Sequence, residues 1–462
     1  MDVFKLRNEL IADYEAYVRS FIRLRDRSIE ERVRQEMADG RLWPEPLVQI
    51  NPAFEVGEPI EQLIDEGLLH PTCSAIFRDK PQPAQDRGPL RLYRHQVEGI
   101  RAGRAGDSFV LTTGTGSGKS LSYIIPIVDH VLRHRAAGGR PGIKAIIVYP
   151  MNALANSQVG ELRKFLEHGF PEGTPPVTFA QYTGQERNDE RELIRLRPPD
   201  ILLTNYVMLE LILTRAGEER RLVEAARGLR FLVLDELHTY RGRQGADVAL
   251  LARRVREACR AEQLLCIGTS ATLSTDGAWA DQCIKVAGVA STLFGTPVRP
   301  ERVIGETLRR RTQPLELNNA RALASLRQRV EHGETARDEA SFLADPLASW
   351  IESALGVEHA SDGRLVRRTP RSIGGPKGVA IELARDTGLP VDRCAHALMA
   401  ALLGAGEHGR PFTGFSFRLH QFLSKGDTVY ASLEPERQRQ ITLSPQRFAP
   451  GSDCAKYLYP LV

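Results

Sequence analysis

Thr113-Gly114-Thr115-Gly116-Ser117-Gly118-Lys119-Ser120 is the stretch on which the reading of this chain turns. The apolar run Ser108-Phe109-Val110-Leu111 precedes it, and Leu121-Ser122-Tyr123-Ile124-Ile125 opens the helix that follows. A glycine-rich loop between a strand and a helix is a phosphate-binding loop in its required setting. Its glycines let backbone N–H groups close around phosphate oxygens, and the helix N-terminus adds positive potential. Lys119 is placed to reach the β- and γ-phosphates of a nucleotide, and the Ser120 hydroxyl to ligate Mg²⁺. Thr113 stands where the general pattern has glycine.

Working outward, short apolar runs recur at Ala145-Ile146-Ile147-Val148-Tyr149, Asp200-Ile201-Leu202-Leu203, Phe231-Leu232-Val233-Leu234 and Leu264-Leu265-Cys266-Ile267. Amphipathic stretches separate most of them, which predicts a doubly wound α/β fold on a parallel sheet. Phe231-Leu232-Val233-Leu234-Asp235-Glu236-Leu237-His238 sets two carboxylates at the end of such a strand. Asp235 is suited to the Mg²⁺ shell and Glu236 to orienting and deprotonating an attacking water. An acidic pair at a strand end is an ordinary solvated turn in isolation. Placed about 115 residues beyond a phosphate loop, it reads as catalytic.

These motifs resemble those of superfamily 2 DEAD/DEAH-box helicases, and they come in that family's order. Asp235-Glu236-Leu237-His238 resembles motif II, and a small non-glycine residue at Thr113 is usual in the family's motif I. Tyr93-Arg94-His95-Gln96 resembles the glutamine motif, which implies that Gln96 reads the adenine edge. Tyr149-Pro150-Met151-Asn152-Ala153-Leu154-Ala155 resembles motif Ia, Thr204-Asn205-Tyr206-Val207-Met208-Leu209 motif Ib, and Ser270-Ala271-Thr272-Leu273 motif III. Tyr182-Thr183-Gly184 falls where the family has a further backbone-contacting loop.

The resemblance implies a RecA-like P-loop NTPase domain that takes ATP and Mg²⁺. Its ATP site would comprise Gln96, the loop residues from Thr113 to Ser120, Asp235 and Glu236, with Ser120 and Asp235 on the metal. Asn152, Thr183, Gly184, Thr204 and Asn205 would contact nucleic acid; small polar groups at strand ends suit phosphate and sugar oxygens and do not read bases. His238, Ser270 and Thr272 would couple the two sites. The text after motif II, His238-Thr239-Tyr240-Arg241-Gly242-Arg243-Gln244-Gly245, is similar to YprA/MrfA-like DNA helicases, which carry a cysteine-rich, zinc-binding C-terminal region. That branch favours DNA over RNA as partner, single-stranded or duplex.

Composition adds bounds. Lys and Arg number 62 against 58 Asp and Glu, an excess too small to argue for nucleic acid by bulk charge. No run reaches the ~18 apolar residues of a membrane span, and the start lacks a secretory layout, so a cytoplasmic protein is expected. The six cysteines show no metal-ligand or disulfide spacing.

Three segments are expected. Residues 1–89 read as an N-terminal helical extension, 90–305 as the RecA-like domain, and 306–462 as a mixed, mainly helical region with a loop-like stretch from Glu358 to Gly378. Val379 to Leu403 reads as two amphipathic helices around Thr387-Gly388-Leu389-Pro390. With Phe415 to Phe422 it is either a small DNA-binding insert or a packing module, and its mixed charges favour the latter. A Gln-x-x-Gly-Arg-x-x-Arg motif, the source of arginine fingers in a second RecA-like domain, does not occur after Thr272. The chain therefore reads as the N-terminal part of a longer helicase, completed by its own continuation or by a separate subunit. Because arginine fingers contribute ~10³–10⁵-fold in related NTPases, slow hydrolysis by this chain alone is expected. An ATP-responsive binding module without unwinding activity is the alternative, and a P-loop kinase or transporter ATPase is disfavoured by the ordered motifs.

Overall fold

The computed structural model describes residues 2–21, 27–38, 40, 42–78, 88–114, 116–167, 175–215, 217, 219–271, 278–333, 336, 338–404, 414–423, 430–435, 438–442, 448–449 and 456–460. Thr115, Thr272 and Cys454 lie outside them. The chain forms two compact units, one of residues 54–309 with 361–364, the other of 1–53, 310–360 and 365–462.

The first unit is built on seven strands: β1 (Phe109–Thr112), β2 (Ala145–Tyr149), β3 (Phe179–Gln181), β4 (Ile201–Asn205), β5 (Phe231–Leu234), β6 (Leu265–Ser270) and β7 (Val303–Gly305). They lie in the order β3-β4-β2-β5-β6-β1-β7, every pair parallel. All seven carboxyl ends therefore share one edge.

Alternation along the strands feeds two cores. Phe109, Leu111, Ile147, Leu203, Val233 and Ile267 pack with one layer of helices, including α1 (Arg94–Ala105), α2 (Leu121–Ala136) and α3 (Asn152–Leu166). Val110, Ile146, Leu202, Leu232 and Cys266 face the opposite layer, including α4 (Tyr206–Thr214), α5 (Gly242–Ala258) and α6 (Trp279–Phe294). Strands buried on both faces carry near-continuous apolar runs, which is why the five inner ones are plain in the sequence. The edge strands β3 and β7 are three residues each and too short to show a pattern.

The second unit holds helices Val3–Phe21 and Arg27–Ala38, and a three-stranded antiparallel sheet in which Leu47–Ile50 lies between Arg371–Ser372 and Phe417–His420. The text expected as helix or loop thus also supplies strands. Val357–His359 pairs with Leu365–Arg367 within the loop-like stretch; strands of two or three residues, rich in arginine, carry no periodicity for a sequence reading to detect. Helices Val379–Thr387 and Val391–Gly404 form where the sequence indicates them. Among the described residues, no helix is long and apolar enough to cross a membrane. Cys73, Cys259, Cys266, Cys283 and Cys394 are buried free thiols, and burial pushes Cys73, Cys259 and Cys266 up to about 12.

Candidate ATP site and nucleic-acid face

The carboxyl edge of the sheet divides between the two groups of predicted residues. Strands β5, β6 and β1 carry the candidate ATP site, while β3, β4 and β2 carry the candidate nucleic-acid face.

In the loop after β1, Gly116 and Gly118 take the left-handed backbone with φ of +86° and +66°, a conformation that costs side-chain-bearing residues free energy. Thr113 is fully buried and its hydroxyl meets that of Ser117 at 2.7 Å, so threonine at this position pins the loop from inside. Three groups hold the loop from outside. Gln96 Nε2 donates to the Gly118 carbonyl at 2.8 Å, His95 Nε2 lies 2.9 Å from the Ser117 carbonyl, and Glu306 accepts from the Gly114 N–H at 3.0 Å. Gln96 Oε1 accepts from the Tyr93 N–H at 2.8 Å. Both ends of the Gln96 amide are thus occupied by backbone, and the residue expected to read adenine also braces the phosphate loop.

Asp235 and Glu236 follow β5. Register places Leu234 of β5 beside Gly268 of β6, which brings Thr269 opposite Asp235. The Thr269 hydroxyl donates to Asp235 Oδ1 and accepts from the Glu236 N–H at 3.1 Å. One buried hydroxyl therefore fixes both acidic residues. Sequence reading missed Thr269, although its place just before Ser270 in motif III was a usable signal. Glu236 itself has φ of +52°, a left-handed conformation costing on the order of 1 kcal/mol for a residue with a side chain. That turn aims its carboxylate back at the loop, where Lys119 Nζ meets Oε1 at 3.2 Å.

Burial holds Asp235 above the usual carboxylate range; the neighbouring Glu236 adds to this, and the Thr269 hydrogen bond and Lys119 oppose it. Glu236 Oε2 is buried without a hydrogen bond from the described residues, His238 Nδ1 standing 3.3 Å away. A half-satisfied acidic pair beside a lysine suits a divalent cation with its water shell, which would supply the missing positive charge. Ser120 and Asp235 are the residues present to hold it. His238 Nδ1 also lies 3.2 Å from Ser270 Oγ, so two of the three predicted coupling residues come together. Thr115 and Thr272 fall outside the described residues.

Across the edge, Asn205 caps α4 by accepting from the Met208 N–H at 2.7 Å; its Nδ2 donates to Asn152 Oδ1 at 2.8 Å and to the Thr183 carbonyl at 3.1 Å. Asn152, Thr183 and Asn205 thus form one bonded group across β2, β3 and β4. Thr204 is fully buried, its hydroxyl donating inward to the Tyr182 carbonyl at 2.7 Å. Glu186 was not singled out from the sequence. Its carboxylate accepts from the Thr183 N–H at 2.9 Å, the Thr183 hydroxyl at 2.7 Å and the Gly184 N–H at 2.8 Å. Gly184 has φ of +90°, which turns its amide toward the same side as that of Thr183.

Residues 93–278, which carry this loop, acidic pair and strand-end polar cluster, match the DEAD/DEAH box helicase family. The chain is 30% identical over 228 residues to the uncharacterized ATP-dependent helicase YprA of Bacillus subtilis (strain 168), covering 49% of this chain and 27% of that protein. It is 25% identical over 372 residues to Druantia protein DruE of Escherichia coli (strain UMEA 4076-1), covering 56% of this chain and 20% of that protein. ATP-dependent helicase HRQ1 of Saccharomyces cerevisiae (strain ATCC 204508 / S288c) is 30% identical over 204 residues, 43% of this chain and 18% of that protein. The chain spans about a fifth to about a quarter of the length of these curated relatives. Among solved structures, DUF1998 helicase MrfA bound to DNA aligns with 65% of this chain and 39% of its own at 23% identity and a TM-score of 0.42, a likeness too loose to place residues.

Proposed function

We propose that this chain is the ATP-binding portion of an ATP-dependent helicase or translocase that acts on DNA, in repair or in defence against foreign DNA, in the cytoplasm. The observation that carries the reading is the shared carboxyl edge, with a phosphate loop facing an acidic pair on one half and small polar groups on the other.

Magnesium-bound ATP, when present, supplies the phosphoanhydride and neutralises its charge. Lys119 would leave Glu236 for the β- and γ-phosphates, and Ser120 and Asp235 would hold the metal. Glu236, released from Lys119, would orient a water and accept its proton. Thr269 keeps Asp235 and Glu236 in place throughout. Asn152, Thr183, Gly184 and Asn205 would meet the sugar–phosphate backbone, so binding would tolerate any sequence. A second RecA-like domain, from the full-length chain or a separate subunit, would bring the arginines that complete the site.

The test is phosphate release by the purified chain with and without single-stranded DNA, beside Lys119→Ala and Glu236→Gln. DNA-stimulated release that both substitutions abolish supports the motor. ATP and DNA binding without release in any protein supports a nucleotide-responsive clamp. Failure to bind ATP overturns the reading.

A further inference from the structure

The amino edge of the sheet, opposite both candidate sites, has a cavity of about 50 Å³ between α1, α2 and the start of β5. Ile100, Gly103 and Pro126 supply apolar lining, and Phe231 meets the His130 ring in a T-shaped contact at 5.4 Å between centroids. The polar lining is Arg104 of α1, Asp129, His130 and Arg133 of α2, and Arg230, the residue before β5. One water needs ~10–15 Å³ of such space, so the cavity has room for roughly four, about the size of one phosphate group.

Charge in this lining is unbalanced. Asp129 Oδ1 accepts from Arg133 Nε at 2.9 Å and from the His70 N–H at 2.6 Å, so its charge is matched by Arg133. Arg104 and Arg230 remain. Arg230 Nη1 donates to the Gln263 carbonyl at 2.6 Å, and among the described residues neither arginine pairs with a carboxylate. Two other arginines of α1 show the contrast: Arg94 is held by Glu55 and Glu98, and Arg101 by Glu58 and Glu66. Those carboxylates raise the pKa of both, whereas burial lowers that of Arg230. His130 is pushed down to about 4, first by burial and then by Arg230, His134, Lys144 and Arg104, every one a cationic side chain when protonated. The carboxyl end of α1 offsets only about half a charge. An anion in the cavity would neutralise the excess.

We propose that this cavity binds a tetrahedral oxyanion between Arg104 and Arg230, the phosphoryl group of free phosphate or of a small phosphomonoester. A guanidinium offers paired N–H donors that match two oxygens of such a group, and the neutral His130 ring carries one more N–H. Helix α2 begins beside the phosphate loop, and Asp235 follows the end of β5. The bound anion would therefore fasten together, from the rear, the two elements that carry the candidate ATP site. None of the lining residues belongs to that site, so anion binding does not depend on the proposed motor.

The experiment follows the His130 Cε1–H signal by NMR in the whole chain labelled at histidine, titrated with inorganic phosphate or with ribose 5-phosphate at an ionic strength held constant with chloride. His130→Gln assigns the signal. Every protein carries Lys119→Ala, which removes the chief phosphate contact of the loop. The signal should move and saturate in the millimolar range. Arg230→Gln should weaken the affinity about tenfold or more, the worth of one hydrogen bond to a charged group, and Arg104→Gln several-fold, with the thermal midpoint in chloride unchanged. Binding of ribose 5-phosphate assigns a phosphomonoester, and binding of phosphate alone assigns the free anion. A signal that stays still or drifts without saturating overturns the proposal, as does an affinity that neither substitution changes. Should Arg230→Gln lower the thermal midpoint, Arg104→Gln, at an exposed position, decides alone, and full affinity in that variant overturns the proposal.

Discussion

The two halves of the carboxyl edge meet the same problem in different ways. Each presents groups that would hold phosphate, and each covers them with its own carboxylates. At the candidate ATP site Lys119 is held by Glu236 and the Gly114 amide by Glu306, partners 117 and 192 residues away in sequence. On the candidate nucleic-acid face the Thr183 and Gly184 amides are held by Glu186, three and two residues away. Long-range partners sit on other strands, so uncovering the ATP site draws on the sheet and on motif III. The local partner can swing out with its own loop. Nucleotide entry should therefore be felt across the domain, and strand entry should be a local event.

Glu236→Gln should break the comparison most severely. The amide keeps the shape but cannot take a proton, and loss of a general base costs ~10²–10⁴-fold in turnover. Steady-state phosphate release measures this. ATP affinity, read with a fluorescent analogue, should hold or rise, because Lys119 no longer faces a carboxylate. Equal loss of binding and turnover would show that Glu236 only shapes the loop.

The next effect sharpens the other half. Glu186→Gln weakens the anion that occupies the Thr183 and Gly184 amides, so single-strand affinity should rise several-fold. One more phosphate contact would also steepen the slope of log affinity against log salt by about 0.7. Asp189→Asn is the control, removing an equal charge that is 70% exposed and holds neither amide. Should both variants gain equally, the effect is general electrostatics; a loss with Glu186→Gln would make that carboxylate a structural brace.

How much of this was legible beforehand follows from the same contrast. The inner strands and the loop were plain because buried parallel strands and phosphate loops each need particular residue types in a fixed order. Lys119 meets Glu236, and Thr269 ties Glu236 to Asp235. Thr269 is marked in the sequence only by its place just before Ser270; its task depends on strand register, which sets it opposite Asp235. Glu186 was passed over because a glutamate in a polar loop looks like any solvated charge; only the paired amides at Thr183 and Gly184 give it meaning. Gln96 was seen, but its bond to Gly118 could not be, since the two lie on separate elements 22 residues apart.

Asp235 gives a smaller effect on stability with a definite sign. Burial raises its folded pKa above the unfolded value. The folded state then binds more protons across that window, and stability falls as pH rises through it. At neutral pH the ionised, buried carboxylate is a standing cost unless a cation offsets it. Asp235→Asn removes the charge and keeps an acceptor for Thr269, so the nucleotide-free protein should melt about 2–4 °C higher, while turnover is lost. The gain should shrink as pH drops toward the carboxylate range. Scanning calorimetry at several pH values checks both; a lower melting point at neutral pH would mean that Asp235 is already compensated.

Glu306→Gln should give the smallest change and decides whether distance along the chain matters to the cover. Glu306 follows β7, beside the loop strand β1, and accepts from the first glycine amide of the loop. Its charge stands where it opposes an incoming triphosphate, yet the Gly114 amide lies at the start of the loop, ahead of the Gly118-Lys119-Ser120 turn that would cradle the phosphates. Gln can still accept from Gly114, so the loop should keep its shape, and ATP affinity should rise by no more than about threefold, or ~0.7 kcal/mol. A larger gain would put Glu306 beside Glu236 as a principal obstacle to nucleotide entry. A loss would mean that the charged bond to Gly114 holds the loop open for ATP.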